Sequence, residues 1–206
     1  MPGHRLERFL AGQFARPSGA IGRWLIAPWL DRISRGMNRL ALAGLDLKPG
    51  DRVLEIGFGG GALLREMHRR GAEATGGDVS KAAVSRARGQ GLHAVVASVE
   101  ALPFAAAAFD KVVSLNSLYF WSDASAAFRE LARVLRAGGK LVLCFEPPEE
   151  LRKWPGHRHG FRLFEVEEVK ALMMAAGFGA IEEAWGTGRK PDRFCRLSAT
   201  REGAND

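Results

Sequence analysis

The segment Val53-Leu54-Glu55-Ile56-Gly57-Phe58-Gly59-Gly60-Gly61-Ala62 constrains this chain more than any other. A short apolar run suited to a buried strand passes straight into glycines, and a helical pattern follows. Glycine enters the left-handed backbone region without steric cost and lets another group approach the main chain with no Cβ between them. The start of the helix beyond supplies N–H groups that have no intrahelical partner. Such a turn is either a tight connection that binds nothing or the mouth of a ligand site. The surrounding residues have to decide between them.

From residue 52 onward, short apolar runs alternate with helical patterns. The runs at residues 53–56, 72–77, 92–97, 111–115 and 141–145 read as strands, with helices near 61–70, 81–88 and 123–135. The third helix carries Phe128, Leu131 and Leu135 on one stripe and is expected to end at Gly138-Gly139. Leu141-Val142-Leu143-Cys144-Phe145 shows no polar alternation, as in a strand covered on both faces. Val166, Val169, Leu172 and Met173 mark one more helix, stopped near Gly177, before two strands at 180–184 and 194–199. Strands alternating with helices predict crossover units and an α/β fold, a parallel sheet with helices on both faces.

The first 47 residues differ in character and read as an N-terminal helical arm ahead of a domain spanning 48–206. Leu6, Phe9, Leu10 and Phe14 keep helical spacing, and from Pro28 the residues Leu30, Ile33, Met37, Leu40 and Ala41 share a face. The net charge of +7 invites a nucleic-acid reading, but its placement argues otherwise. Residues 1–40 hold seven arginines against Glu7 and Asp31, while the rest of the chain holds 23 basic and 21 acidic residues. The body is nearly neutral. The arm either packs on the domain with its arginines in solvent or closes over the site with Trp24 and Trp29. A peripheral contact with anionic lipid stays open for it, and nucleic acid is disfavoured.

Two cysteines, Cys144 and Cys195, are too few for a disulfide scaffold or a cysteine-built zinc site, and no ligand spacing suggests a metal. No export signal and no run of about 20 apolar residues is seen, so the cytoplasm is the expected compartment.

Asp78 ends the second strand, 21 residues after Gly57, where a carboxylate in such folds can hold ribose hydroxyls. An N-capping Asp beside Ser80 is its plain alternative. Gly57, Gly59 and Ala62 also satisfy a dinucleotide fingerprint, which leaves an NAD(P)-dependent oxidoreductase as the rival enzyme. A dinucleotide, however, brings an anionic pyrophosphate to the helix N-terminus, where the carboxylate of Glu55 would oppose it. S-adenosylmethionine has ribose and adenine, no phosphate, and two cationic centres. Charge favours the sulfonium.

Glu55-x-Gly57-x-Gly59-x-Gly61 resembles the first motif of class I S-adenosylmethionine-dependent methyltransferases. The resemblance continues through Asp78, Glu100-Ala101-Leu102-Pro103-Phe104 with Phe109-Asp110, and Arg133-Val134-Leu135-Arg136-Ala137-Gly138-Gly139. It covers roughly residues 48–185 and is similar to the small-molecule branch that includes the quinone-biosynthesis methyltransferases. It implies a Rossmann-like, seven-stranded, mostly parallel sheet and a cytoplasmic enzyme that moves a methyl group to a small, aromatic or lipophilic acceptor. By the same resemblance Gly57, Gly59 and Gly61 line the methionine moiety, Asp78 the ribose, and Glu55 sits near the amino group. Asn116 faces the methyl group, with a turn-capping Asn as its alternative. Relatives carry Asp before the Leu-Pro-Phe motif; here Ala97-Ser98-Val99-Glu100 stands instead, so adenine recognition falls to Ser98 and the backbone of Val99. An RNA methyltransferase and a non-catalytic cofactor-binding protein are the remaining alternatives.

Methyl transfer needs a general base only when the acceptor must lose a proton. Tyr119, His157 and His159 are the candidates, because loops beyond the carboxyl ends of the strands bind ligands in open α/β sheets. Tyr119-Phe120-Trp121 reads as acceptor wall or core, with Phe120 the one assigned to the core.

Overall fold

The computed structural model describes residues 35–158, 161–188 and 192–203. The first helix of the expected arm, Trp24, Trp29 and the lid lie outside the described residues. In chain order the elements are α1 (Arg35–Leu45), β1 (Arg52–Ile56), α2 (Ala62–Arg69), β2 (Glu73–Asp78), α3 (Lys81–Gly89), β3 (His93–Val96) and β4 (Phe109–Leu115). After a 3-10 turn at Leu118–Phe120 come α4 (Ala124–Val134), β5 (Leu135–Phe145) and the single turn α5 (Pro148–Leu151). A second 3-10 turn at Pro155–Arg158 precedes α6 (Val166–Ala175), β6 (Phe178–Thr187) and β7 (Arg193–Arg201).

The strands form one seven-stranded sheet in the order β3-β2-β1-β4-β5-β7-β6. Strands β1 to β5 are parallel, and β7 runs antiparallel to both β5 and β6. This is the doubly covered α/β sheet that the alternating pattern predicts. The unbroken apolar run of β5 is explained by it. Leu141, Leu143 and Phe145 enter the core under α4 and α6, while Val142 and Cys144 enter the core under α1, α2 and α3. Met37, Ala41 and Leu45 of α1 are buried in that second core, so the described part of the N-terminal region is packed on the sheet. No described helix is long and apolar enough to cross a membrane.

Local signals set several boundaries. Ser80 caps α3, its hydroxyl accepting from the Ala83 N–H at 3.2 Å, and Asp123 caps α4 by accepting from Ala126 N–H at 2.9 Å. The helix α4 does not run on to Gly138-Gly139. It ends at Val134, because Leu135 turns extended and pairs with Phe109, and the chain bulges before Lys140 pairs with Lys111. Gly138 takes φ +70° inside that bulge, and a Cβ at Gly139 would lie 2.8 Å from the Arg136 carbonyl.

Two polar clusters fix the sheet. At the starts of the strands, Asp110 accepts from the Arg52 backbone N–H at 2.9 Å, from its guanidinium at 3.1 Å and from Arg136 Nε at 2.8 Å. In the second cluster Arg133, near the end of α4, donates to the carbonyls of Phe104 at 2.8 Å and Leu102 at 3.0 Å while pairing with Glu130. The Leu-Pro-Phe segment is thereby tied to α4.

Hydrogen bonds and charge from Arg52 and Arg136 hold the Asp110 carboxyl well below the usual carboxylate range. Its contribution to stability is therefore full above the unfolded value of about 4 and is lost as pH falls toward the lower folded value. Asp110→Asn should be less stable than the parent at neutral pH in urea unfolding, with the difference shrinking below about pH 4. Phe128, fully buried between α4 and the sheet, should cost about 3–5 kcal/mol on replacement by Ala in the same measurement.

Candidate functional site

The glycine turn joins β1 to α2 through three left-handed residues: Gly57 at φ +71°, Gly59 at +52° and Gly61 at +75°. Gly57 N–H donates to the Gly77 carbonyl at 2.8 Å, and Gly61 N–H to the Phe58 carbonyl at 2.7 Å. Phe58 points inward and is buried. It occupies the gap left by Gly76 in β2, where a Cβ would lie 2.5 Å from its ring. Gly76 is thus part of the site's framework. Its signal in the sequence, a glycine in mid-strand, marks close approach.

Asp78 ends β2 beside this turn and is nearly buried. One carboxylate oxygen accepts from Gly59 N–H at 3.1 Å and the other from Ser80 N–H at 2.8 Å. The helix cap is Ser80, so Asp78 is no N-cap; it braces the loop. Arg86 of α3 donates to the Gly59 carbonyl at 2.9 Å, and Arg65 of α2 to the Gly60 carbonyl at 2.9 Å. The space where a Gly59 side chain would stand is open. Glu55 is buried at the end of β1.

The neighbouring strand end belongs to β4. Asn116 adopts φ +51°, a strained conformation for a residue with a side chain, and its N–H donates to the Cys144 carbonyl at 2.9 Å. A Cβ on Gly57 would lie 2.7 Å from the Ser117 Cβ, so the glycine turn and the end of β4 touch. Ser117 in turn accepts from Trp121 Nε1 at 3.1 Å.

Tyr119 is buried, its hydroxyl donating to Asn116 Oδ1 at 3.0 Å and accepting from the Glu146 N–H. Burial lifts its pKa well above the ordinary phenol range. As the expected general base Tyr119 therefore needs correcting: its proton is committed to Asn116, and the ring is a strut between the ends of β4 and β5. Phe120 packs against the core, as expected, but less deeply than its neighbours. Tyr119 and Trp121 are buried, Trp121 packing on Phe128 at 5.4 Å, whereas Phe120 is half-exposed.

His157 lies in the turn at Pro155–Arg158 with Nδ1 at 2.6 Å from the Trp154 carbonyl. A carbonyl only accepts, so Nδ1 carries the proton and Nε2 is the remaining atom. His159 lies outside the described residues. Ser98 donates its proton to Glu100, which also accepts from Ser122 N–H at 2.8 Å. Burial opposes the charge of Glu100, but these hydrogen bonds hold its pKa below the ordinary value. Val99 is buried next to them. Sequence reasoning missed Glu146, which follows β5. It is half-buried, and burial together with the nearby charge of Glu150 pushes it up to about 7.

With this geometry in view, residues 54–143 match the family described as "Methyltransferase domain". That segment is a methyltransferase domain. An uncharacterized methyltransferase of Bacillus subtilis (strain 168), YdaC, is 32% identical over 119 residues, which is 55% of this chain and 66% of that protein. A demethylmenaquinone methyltransferase of Mycobacterium sp. (strain KMS) is 36% identical over 110 residues, 53% of this chain and 48% of its own length. The chain thus spans about half to two thirds of these curated relatives. Geranyl diphosphate C-methyltransferase from Streptomyces coelicolor A3(2) was solved with Mg2+, geranyl diphosphate and S-adenosyl-L-homocysteine. It has a TM-score of 0.70 at 17% identity, covering 90% of this chain and 85% of that one, a likeness of fold. The match favours the sulfonium cofactor over the dinucleotide that the glycine pattern alone also admitted.

Two stability measurements test the methyltransferase domain's site as built. Gly57→Ala should cost more than the 1–2 kcal/mol or so of left-handed strain, because it also meets Ser117, and should exceed the cost of Gly59→Ala. Glu146 has a folded pKa raised above its unfolded value, so its burial costs stability as pH rises from about 4 through 7. Glu146→Gln should then match the parent near pH 4 and be the more stable of the two at pH 8.

Proposed function

We propose that this chain is an S-adenosylmethionine-dependent methyltransferase acting on a small, aromatic or lipophilic acceptor. The observation that carries the reading is the pairing of a glycine turn, with open space where a Gly59 side chain would stand, with two low-exposure carboxylates, Glu55 and Asp78, at the same strand ends.

The residues fit the cofactor this family implies. Gly57, Gly59 and Gly61 leave the main chain bare for close approach, and Asp78, already oriented by two backbone N–H groups, offers acceptor capacity to a ribose diol. Glu55 favours an ammonium or sulfonium nearby and disfavours a pyrophosphate. Ser98 and the backbone of Val99 are assigned to the adenine amino group. Relatives use a carboxylate there, and here Glu100 lends its charge to the Ser98 hydroxyl. Asn116 is assigned to the reactive end, its strained backbone held by Cys144 and its amide oxygen by Tyr119.

When bound, S-adenosylmethionine supplies a methyl group already activated by the sulfonium. The chain's own task is then alignment and exclusion of water. The rigid strand ends of β1, β2 and β4 supply the alignment. The partly exposed rings of Phe120, Trp154 and Phe161, beyond the ends of β4 and β5, supply a wall for the acceptor. An acceptor of this kind is in keeping with the demethylmenaquinone and geranyl diphosphate enzymes similar to the chain.

Asp78→Ala should weaken S-adenosylmethionine by about 10- to 100-fold in calorimetric titration, as expected for losing charge-assisted hydrogen bonds. An unchanged affinity in a variant that remains folded would refute the ribose assignment.

A further inference from the structure

We propose that Glu146 is the proton acceptor of the methyl-transfer site, and that the acceptor molecule presents to it an N–H or O–H carried on an aromatic group. The inference rests on the methyltransferase reading above and goes further by naming the acid–base residue and the substrate class.

Position is the first ground. Glu146 is the residue after β5, on the strand edge where Asn116 and Ser117 follow β4. The connection back to the glycine turn is continuous. Ser117 lies against Gly57, Asn116 accepts a hydrogen bond from the Tyr119 hydroxyl, and the same hydroxyl accepts from the backbone N–H of Glu146. The backbone of Glu146 is thus tied to the strand ends that carry the glycine turn and Asn116.

The second ground is its chemistry. Among the described residues no hydrogen bond or ion pair engages the Glu146 carboxylate. Lys153, the partner of Glu150, is committed to that pairing: its Nζ is 2.7 Å from Glu150 and 3.2 Å from Asp192. Among the described residues, the charged and titratable groups linked to Glu146 are Glu150 from α5, Tyr119 from the turn after β4, and Lys153 through its pairing with Glu150. Burial, together with the charge of Glu150, favours its protonated form. A half-buried carboxyl pushed up to about 7 is matched to proton exchange at neutral pH, where it is both available as a base and willing to hold the proton.

The third ground is the wall beside it. The Tyr119 and Phe161 rings stack at 5.7 Å, Phe161 meets Phe120 at 4.6 Å and Trp154 at 5.3 Å, and the last three are half-exposed. Such faces take an aromatic ring edge-on or stacked, and attract cations. The carboxylates of Glu146 and Glu150 disfavour an anionic acceptor. In the step itself the nucleophilic N or O forms a bond to the methyl carbon and its proton passes to Glu146. The carbon–sulfur bond breaks with its electron pair left on sulfur, and Glu146 later returns the proton to water.

The test is calorimetry on the full chain saturated with S-adenosylhomocysteine, using 2-naphthol and phenethylamine as proton-bearing probes and 2-methoxynaphthalene as the control lacking that proton. At least one probe should bind the parent more tightly at about pH 8 than at about pH 6, and about tenfold or more weakly in Glu146→Gln. The methoxy control should bind no better to parent than to variant. Which probe responds tells an amine acceptor from a hydroxyl acceptor. Binding of neither probe, or equal binding to parent and variant, would overturn the assignment of Glu146. S-adenosylhomocysteine titrated into the same two proteins separates the cases, because loss of the Glu146 effect with intact nucleoside binding leaves the methyltransferase reading standing. Failure of the parent to bind S-adenosylhomocysteine sinks that reading itself.

Discussion

At the ends of β1 and β4 the chain comes close enough that a single methyl group at Gly57 would lie 2.7 Å from the Cβ of Ser117. Much of the site follows from that approach. Because Gly57 has no side chain, the glycine turn can fold back against the start of the loop after β4. This brings Glu55, Asp78 and Asn116, from three different strands, to one rim. Phe58 fixes the turn from below by filling the space that Gly76 vacates, and Asp78 fixes it from the side through the Gly59 N–H. The site is therefore rigid for reasons of steric fit as much as hydrogen bonding, which suits a reaction whose protein contribution is alignment.

The fold was legible because its signals are local. The doubled coverage of the sheet is written into the unbroken apolar run of β5, and the turn into three glycines that all proved to need positive φ. The motif order became intelligible once the side chains were in place: Arg133 binds the carbonyls of Leu102 and Phe104, so two segments far apart in sequence are one structural unit. What the sequence hid depends on tertiary environment. Gly138-Gly139 is a normal helix stop in isolation, but pairing of Leu135 with Phe109 ended α4 earlier. Tyr119 has the chemistry of a base and the surroundings of a strut. Glu146 carries no motif at all, and its interest comes from burial, the charge of Glu150 and the engagement of Lys153 elsewhere, none of which a linear reading shows.

Electrostatics divides the molecule into two ends. Where the strands begin, Asp110, Arg52, Arg136, Asp51 and Lys111 are paired, and the pairs serve the fold. Where the strands finish, Glu55 and Asp78 are buried, and Glu146 sits in an environment that disfavours its charge. Burial of acids in this way works against stability, so its presence at one rim points to a ligand that supplies positive charge or a proton. The sulfonium and a proton-bearing acceptor would do both.

The most direct test of the account is competitive calorimetry of the full chain with S-adenosylmethionine and NADH. A glycine turn backed by Glu55 and Asp78 should bind the sulfonium cofactor and ignore the dinucleotide. Binding of NADH with no response to S-adenosylmethionine at millimolar concentration would contradict the account at its centre.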